Sequence, residues 1–183
     1  MGLRSFRYRV PIEASLIVLV TGLAIAGSVL WHDYQALRLD AAQNAERLAR
    51  LLSQALAPDL KTQGTWQAYR TLSAVYRGAE PSWLLPAFAL VLDAKGQTRV
   101  ASDPVRFPLA QDPQGLAADH EAVLSQVPPR GTGRPQQVAG NGWVYRIEPV
   151  QEGEMVLGTL VLAFSEQALL PRFYDSALRV LLT

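Results

Sequence analysis

Residues 14–31 read ASLIVLVTGLAIAGSVLW, eighteen positions without a charge. A run this long and this apolar has one economical fate. In hydrocarbon every backbone N–H and C=O must find its partner inside the segment, which leaves a helix, and about 20 residues span the apolar layer. Residues 10–12 can extend the span across Glu13, an awkward charge near the inner edge that could pair with Arg9 on the same helical face. Arg4, Arg7 and Arg9 precede it, while His32 and Asp33 follow. Basic residues are retained on the cytoplasmic side, so the N-terminus is expected inside and the bulk of the chain outside. Trp31 and Tyr34 stand where an interfacial aromatic belt lies. Ala24-Ile25-Ala26 also reads as a small-x-small cleavage site, which would release a secreted domain. The apolar run continues past it through Val29, Leu30 and Trp31, which favours an uncleaved anchor.

The helical signal does not stop there. Residues 31–57 contain neither Pro nor Gly, and LRLDAAQNAERLARLLSQALA is rich in strong helix formers. Leu37, Ala41, Ala45, Leu48, Leu52 and Ala55 recur at spacings of four and three, the mark of one apolar helix face. Pro58 is expected to end the helix. A continuous helix over 14–57 would measure about 66 Å at 1.5 Å per residue, of which the bilayer core takes about 30 Å. The rest needs a partner for its stripe, either the domain that follows or a second copy of the chain.

Composition narrows the chemistry. The chain has 183 residues, room for one domain beside the anchor. It holds no cysteine, which removes disulfides, thiolate catalysis and cysteine-ligated zinc. A net charge of +1 gives no reason to expect nucleic acid. No GxSxG, His-x-x-Glu or His-x-x-x-His motif is present, and the GTG at 131–133 lacks the strand and helix that a phosphate loop needs. No catalytic residue, metal site or cofactor is expected. His32 reads as interfacial, and His120, in Asp-His-Glu on an expected short helix near 116–126, as a solvated surface residue.

Beyond the stalk, residues 64–78 repeat apolar residues at helical spacing. FALVLDAKGQTRVASDP (88–104) is a strand, a turn at Asp93–Gly96 and a second strand over 98–101. WVYRIEPV (143–150) alternates, with Val144, Arg146 and Glu148 on one face and Trp143, Tyr145 and Ile147 on the other. A turn at 151–154 leads into MVLGTLVLAF (155–164), apolar on both faces and so central, and a short strand is expected at 136–139. Ser165 is expected to cap a helix that Pro171 interrupts. Strands joined by tight turns, with helices between, give an α+β class built on an antiparallel sheet.

This order, with 88–104, the ASDPVRFPL phrase (101–109) and the hairpin WVYRIEPVQEGEMVLGTLVLAFSEQAL (143–169), resembles the single Cache or extracytoplasmic PAS-like sensor domain of bacterial transmembrane receptors, above all the N-terminal region of sensor histidine kinases. The resemblance implies five antiparallel strands and a division into a cytoplasmic N-terminus (1–9), a transmembrane helix (10–32), a stalk helix (33–57), a periplasmic sensor domain (58–165) and an exit helix (166–183) leading toward a truncated second transmembrane helix. It implies a single-pass protein of the bacterial inner membrane acting as the input region of a two-component kinase, homodimeric through the stalk, binding a small carboxylate or amino acid, and itself not an enzyme. Candidate ligand contacts are Arg99, Ser102, Asp103, Tyr145 and Arg146, with Trp66, Tyr69 and Trp83 as aromatic walls. Each has a plainer reading: exposed arginines are the norm, Ser-Asp-Pro starts a turn unaided, and Trp66 with Tyr69 fits a core face. The alternative function is an anchored periplasmic scaffold that senses nothing, marked by an exposed apolar patch in place of a cavity.

Overall fold

The computed structural model describes residues 3–62, 64–76, 84–112, 120, 134–169, 171 and 178. They fall into two units, Met1–Leu39 with Leu170–Thr183, and Asp40–Leu169. One helix, α1, runs Leu3–Lys61 and contributes to both. In the first unit its side chains from Leu16 to Ile25 present apolar surface, with Leu16, Ile17, Val18, Leu19, Val20, Leu23 and Ile25 all more than half exposed. A helix apolar on every side, and this long, is able to cross a membrane.

The second unit continues with α2 (Thr65–Ala74) and strands β1 (Phe88–Leu92), β2 (Thr98–Ala101), β3 (Gln136–Gly140), β4 (Trp143–Glu152) and β5 (Met155–Ser165), closing in a 3-10 turn at Glu166–Leu169. The strands form one sheet in the order β2-β1-β5-β4-β3, antiparallel throughout. β5, the strand read as apolar on both faces, pairs with β1 on one side and β4 on the other. Gly158 makes that pairing possible, because a Cβ there would lie 2.7 Å from the Leu92 carbonyl oxygen. Asn141 and Gly142 both have positive φ, 53° and 77°, the geometry of a two-residue hairpin turn between β3 and β4.

Strand alternation divides the core in two. Ala89, Val91, Leu160, Leu162 and Val150 face α1 and α2, meeting Ala49, Leu52, Leu56, Leu60, Ala68 and Leu72. Phe88, Leu90, Leu92, Tyr145, Ile147, Val161 and Ala163 face the other way and meet Phe107.

Two expectations are corrected. Pro58 does not end the helix, which continues to Lys61. Proline removes one N–H donor there, but Leu56, Ala57 and Leu60 flank it as buried residues, and their burial outweighs one lost bond. The end is instead built from partners: Thr62 donates from its amide and hydroxyl to the Pro58 carbonyl, both at 3.2 Å, and the Gly64 amide donates to Asp59 at 2.9 Å. Ser165 caps no α-helix; it is the last residue of β5 and the next turn is 3-10. The Glu166 amide donates to the Gly142 carbonyl at 2.8 Å, which ties that turn to the β3–β4 hairpin. The expected helix near 116–126 lies outside the described residues except for His120, and of the expected exit helix only 166–169, Pro171 and Leu178 are described.

Candidate ligand site

The face of the sheet turned away from α1 carries a compact polar cluster set in aromatic rings. Its base is Tyr145 on β4, fully buried, whose hydroxyl pairs with Nδ1 of His120 at 2.5 Å. His120 is 1% exposed, so the solvated surface residue expected from sequence is a core residue. Its edge and face are packed by Phe88 and Trp143, with ring centroids at 4.9 and 4.8 Å. Arg106 completes the cluster, its Nη2 lying 2.8 Å from His120 Nε2.

The protonation pattern follows from the donors. A guanidinium only donates, so Nε2 accepts from Arg106 and holds its lone pair. The ring proton then sits on Nδ1 and is donated to the Tyr145 oxygen. His120 is a neutral imidazole in a defined tautomer. Arg106 lies over Phe88 and Phe107, its guanidinium carbon 5.6 Å from each ring centroid, while the residue stays exposed. One of its five N–H donors serves His120. The remainder suit an anion with two oxygens, a carboxylate above all.

The loop that delivers Arg106 is set by Asp103. Its Oδ1 accepts from the amides of Val105 and Arg106 at 3.1 and 3.2 Å, and its carbonyl accepts from Phe107 at 3.0 Å. Asp103 therefore shapes the turn that places Arg106 and Phe107. Ser102 pairs reciprocally with Ala89: its amide donates to the Ala89 carbonyl and its hydroxyl accepts from the Ala89 amide, both at 2.9 Å.

The other candidates stand elsewhere. Arg99 reaches the end of α1, donating from Nη2 to the Leu60 carbonyl at 2.8 Å, a cation at the negative end of a helix. Arg146 projects from β4 to the α1 side, opposite Tyr145. It lies 3.4 Å from Glu148 and 4.0 Å from Glu46, and Glu46 pairs with Arg50 at 2.8 Å. Burial pushes the Glu148 carboxyl above the usual carboxylate range, partly offset by Arg146. Trp66 and Tyr69 stack on α2, centroids 5.4 Å apart, near the outer edge of β2. Trp83 lies outside the described residues. Of the stalk positions, Ala45 and Leu52 are buried within the domain core, Leu48 packs against it, Leu37 and Ala41 are half-buried and Ala55 is exposed.

Thus the structure brings Tyr145 together with two residues the sequence did not nominate, Arg106 and His120. The ASDPVRFPL phrase held the first signal, since an Asp-led turn followed by Arg-Phe beside a strand end projects both onto one sheet face. His120 gave none, because Asp119 and Glu121 on either side make it read as a surface residue.

No protein-family model and no curated protein matches the chain. Among solved structures it is similar to the sensor domain of the histidine kinase DctB from V. cholerae, at 17% identity and a TM-score of 0.52, covering 88% of this chain and 60% of that one. It also matches the extracellular domain of the putative histidine kinase vpHK1S-Z8, at 14% identity and a TM-score of 0.48, covering 88% and 61%. The chain therefore spans about three-fifths of each of these two structures. Its α+β unit shares the fold of the DctB sensor domain.

Proposed function

We propose that this chain is the membrane-anchored input region of a bacterial receptor of the sensor histidine kinase type, with its sensor unit in the periplasm and its N-terminus in the cytoplasm. Its ligand is a small carboxylate, free or as the carboxylate of an amino acid, held by Arg106 over the His120–Tyr145 pair. The observation that carries this reading is an exposed guanidinium fixed over two aromatic rings and hydrogen-bonded to a buried neutral histidine. Among the described residues no carboxylate pairs with Arg106, and a carboxylate ligand would supply that charge. The fold and the apolar α1 segment support the sensory and anchored parts of the reading.

The working unit is a homodimer. With Ala45 and Leu52 inside the domain, the seam falls on the adjoining face of α1 that carries Leu51, 65% exposed, and Ala55.

The test is a thermal-shift panel of mono-, di- and tricarboxylates on the full chain in nanodiscs. A ligand that binds only the folded state raises the midpoint, and a hundredfold excess over Kd stabilises by about 2.7 kcal/mol. At least one compound should raise the midpoint, and Arg106→Ala should abolish the response. A panel without a hit, or a response that survives Arg106→Ala, overturns the carboxylate reading.

A further inference from the structure

A cavity lies at the outer edge of β2, and none of Arg106, His120 or Tyr145 lines it. It encloses about 500 Å³ between α2 and the segment after β2, lined by Trp66, Tyr69, Val100, Pro104 and Leu109, with Thr65 at one end. That volume is within the range of small-molecule sites, about 300–1,000 Å³. No charged side chain lines it among the described residues. Trp66 is 65% exposed and stacks on Tyr69 with 26° between the ring planes, so the wall is a flat aromatic surface held open to solvent. An indole left in water on a wall of this kind is a place for another flat ring.

The cavity has a polar neighbour. A further space of about 470 Å³ shares Thr65 and Leu109 with it and is lined by Asp93, Gln97, Thr98 and Arg99. Asp93 and Arg99 carry opposite charges, so this second space has no net preference for an anion or a cation. The Asp93 Oδ1 already accepts from the amides of Lys95 and Gln97, and Arg99 already serves the end of α1. What the space offers a ligand is hydrogen bonding without a full charge to neutralise. Thr98 adds a buried hydroxyl oxygen that has no hydrogen-bond partner. Leu109 is the partition between the two spaces, and it is half-exposed on a loop.

We infer that the β2 edge is a second ligand site, which takes a small neutral aromatic molecule with a short uncharged polar arm: the ring on the Trp66–Tyr69 wall, the arm across Leu109 toward Thr98. The site has none of the Arg106, His120 and Tyr145 side chains in its lining and a different chemistry, and it stands whether or not the sensory reading holds.

The experiment uses the full chain in nanodiscs with tryptophol as the probe, an indole bearing a hydroxyethyl arm, read by saturation-transfer NMR and by titration. Tryptophol should bind saturably. Trp66→Ala should weaken it by about tenfold or more, the size of one lost ring contact. Leu109→Arg should do the same by putting a charge on the partition. Both positions are solvent-accessible, so the folded state is retained, and an unchanged melting midpoint verifies that. Absence of saturable binding up to the solubility limit, or binding that both variants leave unchanged, overturns the second site.

Discussion

The two faces of the sheet are built from different materials. The face toward α1 is aliphatic and closed: Leu52, Leu56 and Leu60 of the helix lie on Leu160, Leu162 and Val91. The face away from it carries a cluster of rings and a histidine in contact with both a tyrosine hydroxyl and an arginine. Aliphatic side chains pack without directional demand and give stability in proportion to buried area. Rings and hydrogen-bonding groups give less adaptable packing and hold fixed donors in fixed places. One face is a foundation and the other carries the proposed recognition surface. The polar groups on the foundation side, Arg146 and Glu148, are a minority within it, and the Glu148 Oε2 and Arg146 Nε there are buried without hydrogen bonds.

Changes on the two faces should separate this contrast into stability and binding. The largest stability loss is expected for Leu56→Ala on the foundation side, about 2–5 kcal/mol in a urea titration, with the carboxylate response intact whenever the protein is folded. A smaller loss there would show that α1 is more loosely held than its burial indicates. Arg146→Met should cost about 2 kcal/mol near neutral pH, because Glu148 then loses the counter-charge 3.4 Å away, with only the weaker influence of Arg50 left among the described residues. That cost should shrink in acid. The folded-state pKa of Glu148 is raised, so the folded protein holds this proton more tightly than the unfolded chain. The stability due to Glu148 is therefore fully present below the unfolded value and falls as pH rises through the folded one. Urea titrations of the wild type and of Glu148→Gln across that interval should show the slope in the first and its loss in the second.

On the recognition side, Tyr145→Phe removes the acceptor of the His120 Nδ1 proton, and about 1 kcal/mol of stability should go with it. A binding response to carboxylates that is weakened more than stability would assign the hydroxyl to recognition; an unaltered response would assign it to packing. The smallest effect at pH 7 is expected for Tyr76→Phe. The Tyr76 hydroxyl is buried without a hydrogen bond, and burial pushes it up to about 12 from 10.0, with Ser102 offsetting part of that shift. Its raised pKa makes the folded state the better proton holder, so stability declines as pH climbs from about 10 to 12. The phenylalanine variant should match the wild type at pH 7, within about 0.5 kcal/mol, and lack the alkaline decline.

Much of the architecture was legible because it is local. The Asp93–Gly96 turn, the alternation of β4 and the doubly apolar β5 are written in runs of ten residues or fewer. The misplaced end of α1 shows the limit. Proline weakens a helix by a local rule, while Leu60 holds it together through a sheet that lies far along the chain. The site was harder for the same reason. Arg99 was nominated only as a ligand contact, because nothing near it in sequence reveals that Leu60, 39 positions earlier, also supplies a helix end for it to cap. Arg106 and His120 meet across 14 positions, through a connection whose path no pattern announces.

One peptide bond on β4 separates Tyr145, in the aromatic layer, from Arg146, beneath the helix. The strand thus has a reading frame of two. Deleting a single residue between the Asn141-Gly142 turn and Tyr145 would exchange the layers, sending a guanidinium among the rings and a phenol under α1. Pairing with β5 stays in step from Trp143 to Val150 and shifts only between Val150 and Gln151. Variation in length is therefore expected to be absorbed at that distal irregularity and excluded from the eight residues before it.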